Sequence, residues 1–239
     1  MKLSVLGSSS KGNCYILENR DEALIIEVGI SIKDLKKSLN FNISKVVGCL
    51  VTHQHNDHSK YIKNIVEMGI YTLALKEVWE SKQINSPYAI NITMGKGYKF
   101  GNFKVIPFNA CHDVACVGYI VDHSEIGRLF FLTDSYMCEY KIPKMNHILI
   151  ECNYSDKELS KAIFEGRTLP SQKERLLTSH MELSNCINML NANDLNNVSE
   201  IMLIHLSENN SNENYFLSEV ERATGKIVYI ANPGLTIEL

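Results

Sequence analysis

The stretch at residues 50–60, "LVTHQHNDHSK", places His53, His55, Asp57 and His58 within six positions of a chain that has only eight histidines. Packing does not ask for this. Imidazole fills a core poorly, and residues two apart on a strand share one face while the residue between them points away. Neutral imidazole nitrogen and carboxylate oxygen are the donors that hard-to-borderline divalent cations accept. A solvated polar loop is the ordinary alternative, but the density of ligand types in one short run favours a metal site.

Working outward, an apolar run over 46–51 reads as a buried strand that delivers the chain into the cluster, and 60–68 reads as an amphipathic helix with Ile62, Ile65 and Val66 on one face. Upstream, strands are expected over 3–6, 14–17 and 23–27. A helix over 31–39 follows, with Ser31 as N-cap. Downstream, a strand over 71–74 and a helix over 76–83 lead into a mostly extended region with strands at 103–107, 117–121, 128–132 and 148–151. Helices over 157–164 and 183–190, a strand over 201–205, a helix over 213–224 and strands over 226–230 and 235–238 complete the chain. Strands and helices thus alternate in two successive batches. That is what two β-sheets packed face to face with helices outside would produce, an α/β (α+β) chain of one large domain or two small ones.

Composition sets the outer limits. The chain has 239 residues, 45% hydrophobic and 21% charged, enough for a substantial core in a soluble globular protein. Its longest apolar runs are strand-sized, so no membrane span is expected, and the first residues are too briefly apolar for a signal peptide. Seven cysteines without CxxC spacing fit free thiols and a cytoplasmic setting. A net charge of −3 does not announce a nucleic-acid binder and leaves room for a local basic rim.

Further ligand types sit where apolar runs stop. His53 follows the strand over 46–51, His112 follows "KVIPFNAC", Asp134 follows "RLFFLT" and His205 ends "IMLIH". Taken singly, His112 also fits a hydrogen-bonded loop histidine, Asp134 a turn or helix cap and His205 a satisfied buried histidine. Strand ends, however, are where a scaffold presents chemistry. His180, in "LLTSHMELSN", precedes a helix for which Ser184 is a candidate cap, and it also fits a surface residue; His123 and His147 have no such context. The Gly/Ser-rich turn in "LGSSSKGNCYIL" either offers N–H and hydroxyl groups to an oxyanion or is simply a tight turn.

The segments "GSSSKGNCYIL", "THQHNDHSKYI", "PFNACHDVACVGYIV", "FLTDS", "IECNYS" and "LIHLSENNS" resemble, in order and spacing, the motif series of the metallo-β-lactamase fold. Within that fold they look like the YycJ/WalJ branch, which is linked to DNA exonuclease activity and related to tRNase Z. The likeness runs from residue 3 to about residue 239. It implies a single domain over 1–239, a four-layer αββα metallo-β-lactamase sandwich with the site at one edge. It also implies two divalent metal ions: His53, His55 and His112 on the first, Asp57, His58 and His205 on the second, and Asp134 bridging them. Zinc is the default metal, with manganese and iron as alternatives.

The chain departs from the family pattern at three places. Glu27 stands in "IIEVG" where Asp is usual, Tyr136 where Gly is usual, and "SHMELSN" carries an additional residue after His180.

The chemistry expected from the resemblance is hydrolysis of a phosphodiester, with DNA as substrate, by a water that the metal pair ionises. Asp57 would aim that water and His180 would supply the leaving group's proton. Ser8, Ser9, Lys11 and Asn153 are candidate substrate contacts. Lys11, Lys60, Lys63, Lys173 and Arg175 are candidate phosphate contacts, the alternative for these being an ordinary solvated surface. Glu27, Asp113 and Glu151 are candidates for orienting the ligand histidines. Two further functions fit the same residues: a small-substrate hydrolase acting on a cyclic nucleotide, thioester or lactone, and a metal-bearing binding protein of low turnover.

Overall fold

The computed structural model describes residues 1–141 and 144–239. Its strands, in chain order, are β1 (Lys2–Ser9), β2 (Gly12–Glu18), β3 (Ala23–Ile26), β4 (Val46–Leu50), β5 (Thr72–Ala74), β6 (Ala89–Asn91), β7 (Tyr98–Phe100), β8 (Phe103–Ala110), β9 (Cys116–His123), β10 (Gly127–Leu132), β11 (His147–Glu151), β12 (Glu200–Ile204), β13 (Ile227–Ile230) and β14 (Thr236–Glu238). The helices are α1 (Ile32–Ser38), α2 (Asn56–Ser59), α3 (Ile62–Glu67), α4 (Lys76–Ser81), α5 (Asp156–Phe164), α6 (Lys173–Ser179), α7 (Leu183–Asn191) and α8 (Glu213–Thr224).

The strands form two seven-stranded sheets, β14-β1-β2-β3-β4-β5-β6 and β13-β12-β11-β10-β9-β8-β7. Each sheet begins as an antiparallel meander and continues as a parallel run, β3 to β6 in one and β10 to β13 in the other. The architecture is an αββα sandwich.

Three apolar layers hold it together. Leu3, Tyr15, Leu50, Val105, Tyr119, Phe131 and Ile204 fill the space between the sheets. Leu35, Ile65, Val78 and Trp79 cover the outside of the first sheet, and Cys186, Leu190, Phe216 and Val220 that of the second. Strands buried on both faces explain why "ALII" and "LFFL" are continuously apolar instead of alternating.

Ser31 caps α1 by accepting from Asp34 N. The helix after His180 starts differently from expectation: Glu182, whose side chain accepts from Ser184 N, is the cap of α7, so Ser184 is already in the first turn. Three elements went unanticipated. The short α2 lies within the histidine cluster, β6 is too short for a periodic signal, and α6 is nearly all exposed, so it carries no apolar face to be read. The closing strands separate, β13 joining the second sheet and β14 returning to β1. No helix among the described residues is long and apolar enough to cross a membrane.

Candidate metal centre

The parallel strands β4, β10, β11 and β12 end on the same edge of the sandwich; the turns after β4, β10 and β12 carry His53 to His58, Asp134 and His205, and Glu151 is the last residue of β11. Three residues that follow parallel strands on this edge, Glu27 after β3 (φ 66), Asp134 after β10 (φ 49) and His205 after β12 (φ 54), have left-handed backbones without being glycine. Such backbones persist only where the surroundings fix them. Here Glu27 N donates to Leu50 O at 2.8 Å, Ser135 N to Glu151 Oε2 at 2.8 Å, and His205 N to Ser8 Oγ at 2.9 Å.

The strand ends bring the ligand types together in two groups. In the first, His53 Nε2 lies 3.0 Å from His55 Nδ1, which lies 3.3 Å from His112 Nε2. In the second, His58 Nε2 lies 3.2 Å from Asp57 Oδ2, and His205 Nε2 lies 3.5 Å from the same oxygen. Asp134 stands between the groups, with Oδ2 3.0 Å from His58 Nε2 and Oδ1 4.0 Å from His205 Nε2. It also belongs to a compact set with His53 and His58.

Whether these residues fit cations can be judged from the nitrogens that face away. A metal-bound imidazole passes its other N–H to an acceptor, which fixes the ring and its tautomer. Three histidines of the two groups have such a neighbour, and the other two face a carboxylate at longer range. His53 Nδ1 is 2.9 Å from Thr52 Oγ1, His112 Nδ1 2.8 Å from Ser179 O, and His205 Nδ1 3.3 Å from Glu151 Oε1. His58 Nδ1 is 3.4 Å from Glu27 Oε1, an ion-pair contact rather than an aligned hydrogen bond, and His55 Nε2 is 3.7 Å from Asp113 Oδ1. The inward nitrogens and carboxylates are therefore the ones left to coordinate, and the donor set suits two divalent cations.

Glu27 is fully buried, and its longer side chain also receives Thr52 N at 3.3 Å, so it reaches under the histidine loop. Burial raises its pKa, against the pull of His58. Glu151, equally buried, accepts from Ser135 N, Met181 N and His180 Nδ1, the last at 2.7 Å. His180 thereby joins the cluster, its ring stacked on His205 with centroids 5.4 Å apart. His123 and His147 pair instead with Glu22 and Glu200.

A cleft of about 520 Å³ opens over the cluster, lined by Asp57, Asp134, Asn153, His180 and His205 and, on its far wall, by Gln172 and Arg175. Asn153 donates to His205 O at 2.8 Å, so one of its hydrogens is already committed. The structure places three candidate contacts elsewhere. Ser8 Oγ accepts from Tyr15 and from His205 N, which makes it a buttress of the His205 turn. Ser8, Ser9 and Lys11 line a neighbouring cleft behind Leu206 and Ser207, and Lys11 is paired with Glu208. From the "SSSKGN" turn, Ser10 is the residue that lines the cleft over the cluster. Lys60 lies over the Tyr61 ring, and Lys63 and Lys173 are exposed and do not line it.

Two supports escaped the sequence reading. Asn13, fully buried, donates to Ser9 O and Asp57 O and lies 3.0 Å from His58 Nε2. Gly29 passes so close to the loop that a Cβ there would sit 1.6 Å from Asp57 O. The glycine of "EVG" was legible, but not what presses on it.

Without metal, the carboxylates of the second group favour protonated imidazoles at His58 and His205. Burial lowers the His205 pKa, but the Asp134 charge and hydrogen bonds to Asp57 and Glu151 outweigh it and raise the value to about 10. His58 is likewise raised, by Asp134 and Glu27 against burial, and Asp57 is held below the ordinary carboxylate range by His205 and His58 despite its own burial. His53, by contrast, is held well below 6.5 by burial and by its cationic neighbour His58. Cations must then expel protons from His58 and His205 at neutral pH, and affinity for the second cation should rise as pH rises towards about 10. Zinc titrations by calorimetry in buffers of unequal ionisation enthalpy should show net proton release at pH 7. Release of none would mean that these imidazoles are neutral in the metal-free chain.

Comparison with known proteins agrees with this geometry. Residues 9–87 match the profile of the metallo-beta-lactamase superfamily. The chain is 28% identical over 228 residues to the exodeoxyribonuclease YycJ of Bacillus anthracis, covering 88% of this chain and 84% of the relative. It is 26% identical over 232 residues to the exodeoxyribonuclease WalJ of Streptococcus pneumoniae, covering 88% and 83%. Among solved structures, the metallo-β-lactamase fold protein YhfI from Bacillus subtilis superimposes with a TM-score of 0.78 at 15% identity, covering 100% of this chain and 99% of that one.

Proposed function

We propose that this chain, a metallo-β-lactamase-fold protein similar along most of its length to the YycJ and WalJ exodeoxyribonucleases, is a dinuclear metal-dependent phosphodiesterase that degrades DNA from an end. The observation that carries the reading is the pair of ligand groups sharing Asp134 beneath one open cleft. In this reading His53, His55 and His112 hold one cation and Asp57, His58 and His205 the other. Zinc, manganese and iron all accept such imidazole and carboxylate donors. When bound, the cations lower the pKa of a shared water and offset the charge of an anionic phosphate.

The chain's own residues do the rest. Asp57 presents to the cleft a carboxylate that its histidine neighbours keep ionised, suited to accept the attacking water's hydrogen bond and aim its lone pair. Glu27, Asp113, Glu151, Thr52 and Ser179 hold the imidazoles in register. His180 also lines the cleft. Burial lowers its pKa, but Glu151 more than compensates and raises it, and Glu151 occupies Nδ1. Nε2 is then the nitrogen left to give a proton to a departing alkoxide.

Purified, metal-replete protein assayed on linear DNA, RNA, cyclic nucleotides and a glutathione thioester, with Asp57→Ala as control, tests the reading. Cleavage of DNA ends should dominate. Thioester hydrolysis without diester cleavage would overturn it, as would full metal loading without turnover.

The donor role of His180 has its own test. His180→Ala should lower turnover by about 10²–10⁴-fold for a nucleoside leaving group, and far less for 4-nitrophenolate, which departs without a proton. Equal losses on both would show that His180 serves only to orient its neighbours.

A further inference from the structure

Residues 167–180 cross the cleft as a strap fastened to both ligand-bearing sides. At one end Thr168 Oγ1 donates to Asn210 Oδ1 at 2.7 Å and Arg167 donates to Asn209 O. At the other, Ser179 O receives His112 Nδ1, and Arg175 Nη2 lies 3.4 Å from Asp113 Oδ2. The other Asp113 oxygen is 3.1 Å from His112 Nε2. The Arg175 guanidinium is thus one carboxylate away from the ligand cluster.

Arg175 is the single lysine or arginine lining the cleft among the described residues, and its side chain is 69% exposed. Its one acidic partner meets it through one nitrogen at 3.4 Å, so most of its planar fork is available. Guanidinium is weakly hydrated and matches phosphate oxygens two at a time. Asp113 also faces the outward Nε2 of His55 at 3.7 Å, so an arriving phosphate can take the guanidinium without leaving Asp113 alone. Apart from the ligand cluster and His180, the rest of the wall is neutral: Asn153, Gln172, Asn209 and Asn210 offer amides that hydrogen-bond sugars or bases but do not discriminate charge. A protein that tracks continuous backbone needs a row of cations. This cleft has one, and a volume of about 520 Å³.

We propose that Arg175 binds a second phosphate beside the one that is cut, so that the substrate is a short nucleic-acid end carrying a terminal phosphate. This rests on the phosphodiesterase reading and narrows it. Arg175 is then a specificity-determining residue that acts mainly on substrate capture.

Thymidine dinucleotides with and without a terminal phosphate are the probes, assayed on metal-replete wild type, Arg175→Ala and Arg175→Lys. Wild type should prefer the phosphorylated dinucleotide. Arg175→Ala should reduce the ratio of the two kcat/KM values by about 30-fold, mostly through KM, and Arg175→Lys should restore part of it because it keeps the charge but not the fork. In a binding titration with a phosphorothioate-linked analogue, Arg175→Ala should flatten the dependence of log Kd on log salt by about 0.7, the value for one phosphate contact on a single strand. An unchanged ratio and slope in Arg175→Ala would overturn the proposal, as would equal losses on both dinucleotides with reduced metal content. If wild type holds two metals and cuts neither dinucleotide, the phosphodiesterase reading fails, while the salt slope still reports on Arg175.

Discussion

Asp134→Ala should leave the chain with at most one tightly held metal and lower kcat/KM on any phosphodiester by 10³-fold or more. Asp134 is fully buried, and its two oxygens face His58 at 3.0 Å on one side and His180 at 3.5 Å and His205 at 4.0 Å on the other. In the proposed centre Asp134 would serve both ligand groups, so its removal would leave each short of a donor and weaken the activation of water that the cations would supply. The metal-free chain should suffer too. Its buried imidazoles lose the carboxylate that, against burial, does most to raise their pKa values. Taking one partner from a buried charge pair costs about 3–5 kcal/mol. Metal analysis of the purified variant, steady-state rates and urea melts of metal-free protein measure the three effects. Retention of two metals with activity within tenfold of wild type would remove Asp134 from the shared position.

Gly29→Ala should do comparable damage from outside the ligand set. The new Cβ would sit 1.6 Å from Asp57 O and 2.8 Å from Asn13 N, both backbone atoms that cannot rotate away. The turn between His55 and Ser59 must therefore move outward. Asp57 and His58 would move with it, and Asn13 Nδ2 would lose its carbonyl at Asp57. Overpacking of this kind costs about 1–3 kcal/mol, occasionally more. Small misplacements of a catalytic constellation lower rates by about 10²-fold. The variant should bind the second cation weakly and turn over at least 10²-fold more slowly, with little recovery in excess metal. Normal metal content and rate would show that the loop has slack which the packing around Gly29 does not suggest.

These two positions mark how far local reading goes. Asp134 could be picked out because an apolar strand of four or more residues ends there in a residue type that binds cations. Gly29 could be seen as a glycine, but its necessity lies in the carbonyl of Asp57, a contact across the fold. His180 shows the same divide. Its spacing to Ser184 and Asn185 is irregular for the family, yet α6 ends at Ser179 and the following residue reaches Glu151 all the same. Ser8, Ser9 and Lys11 show it in reverse: their types suit an anion, but the turn faces the neighbouring cleft and Lys11 is already paired.

By itself, the sequence determined the two batches of strands, their order and the ligand types waiting at their ends, because hydrophobic periodicity and donor chemistry are properties of neighbouring residues. Tertiary structure alone decided which nitrogen of each imidazole faces inward, which carboxylate or carbonyl holds the other, and which single cation overlooks the cleft. Those outcomes depend on contacts between segments far apart in the chain. The left-handed backbones of Glu27, Asp134 and His205 are held by such contacts and have no local cause in residue type.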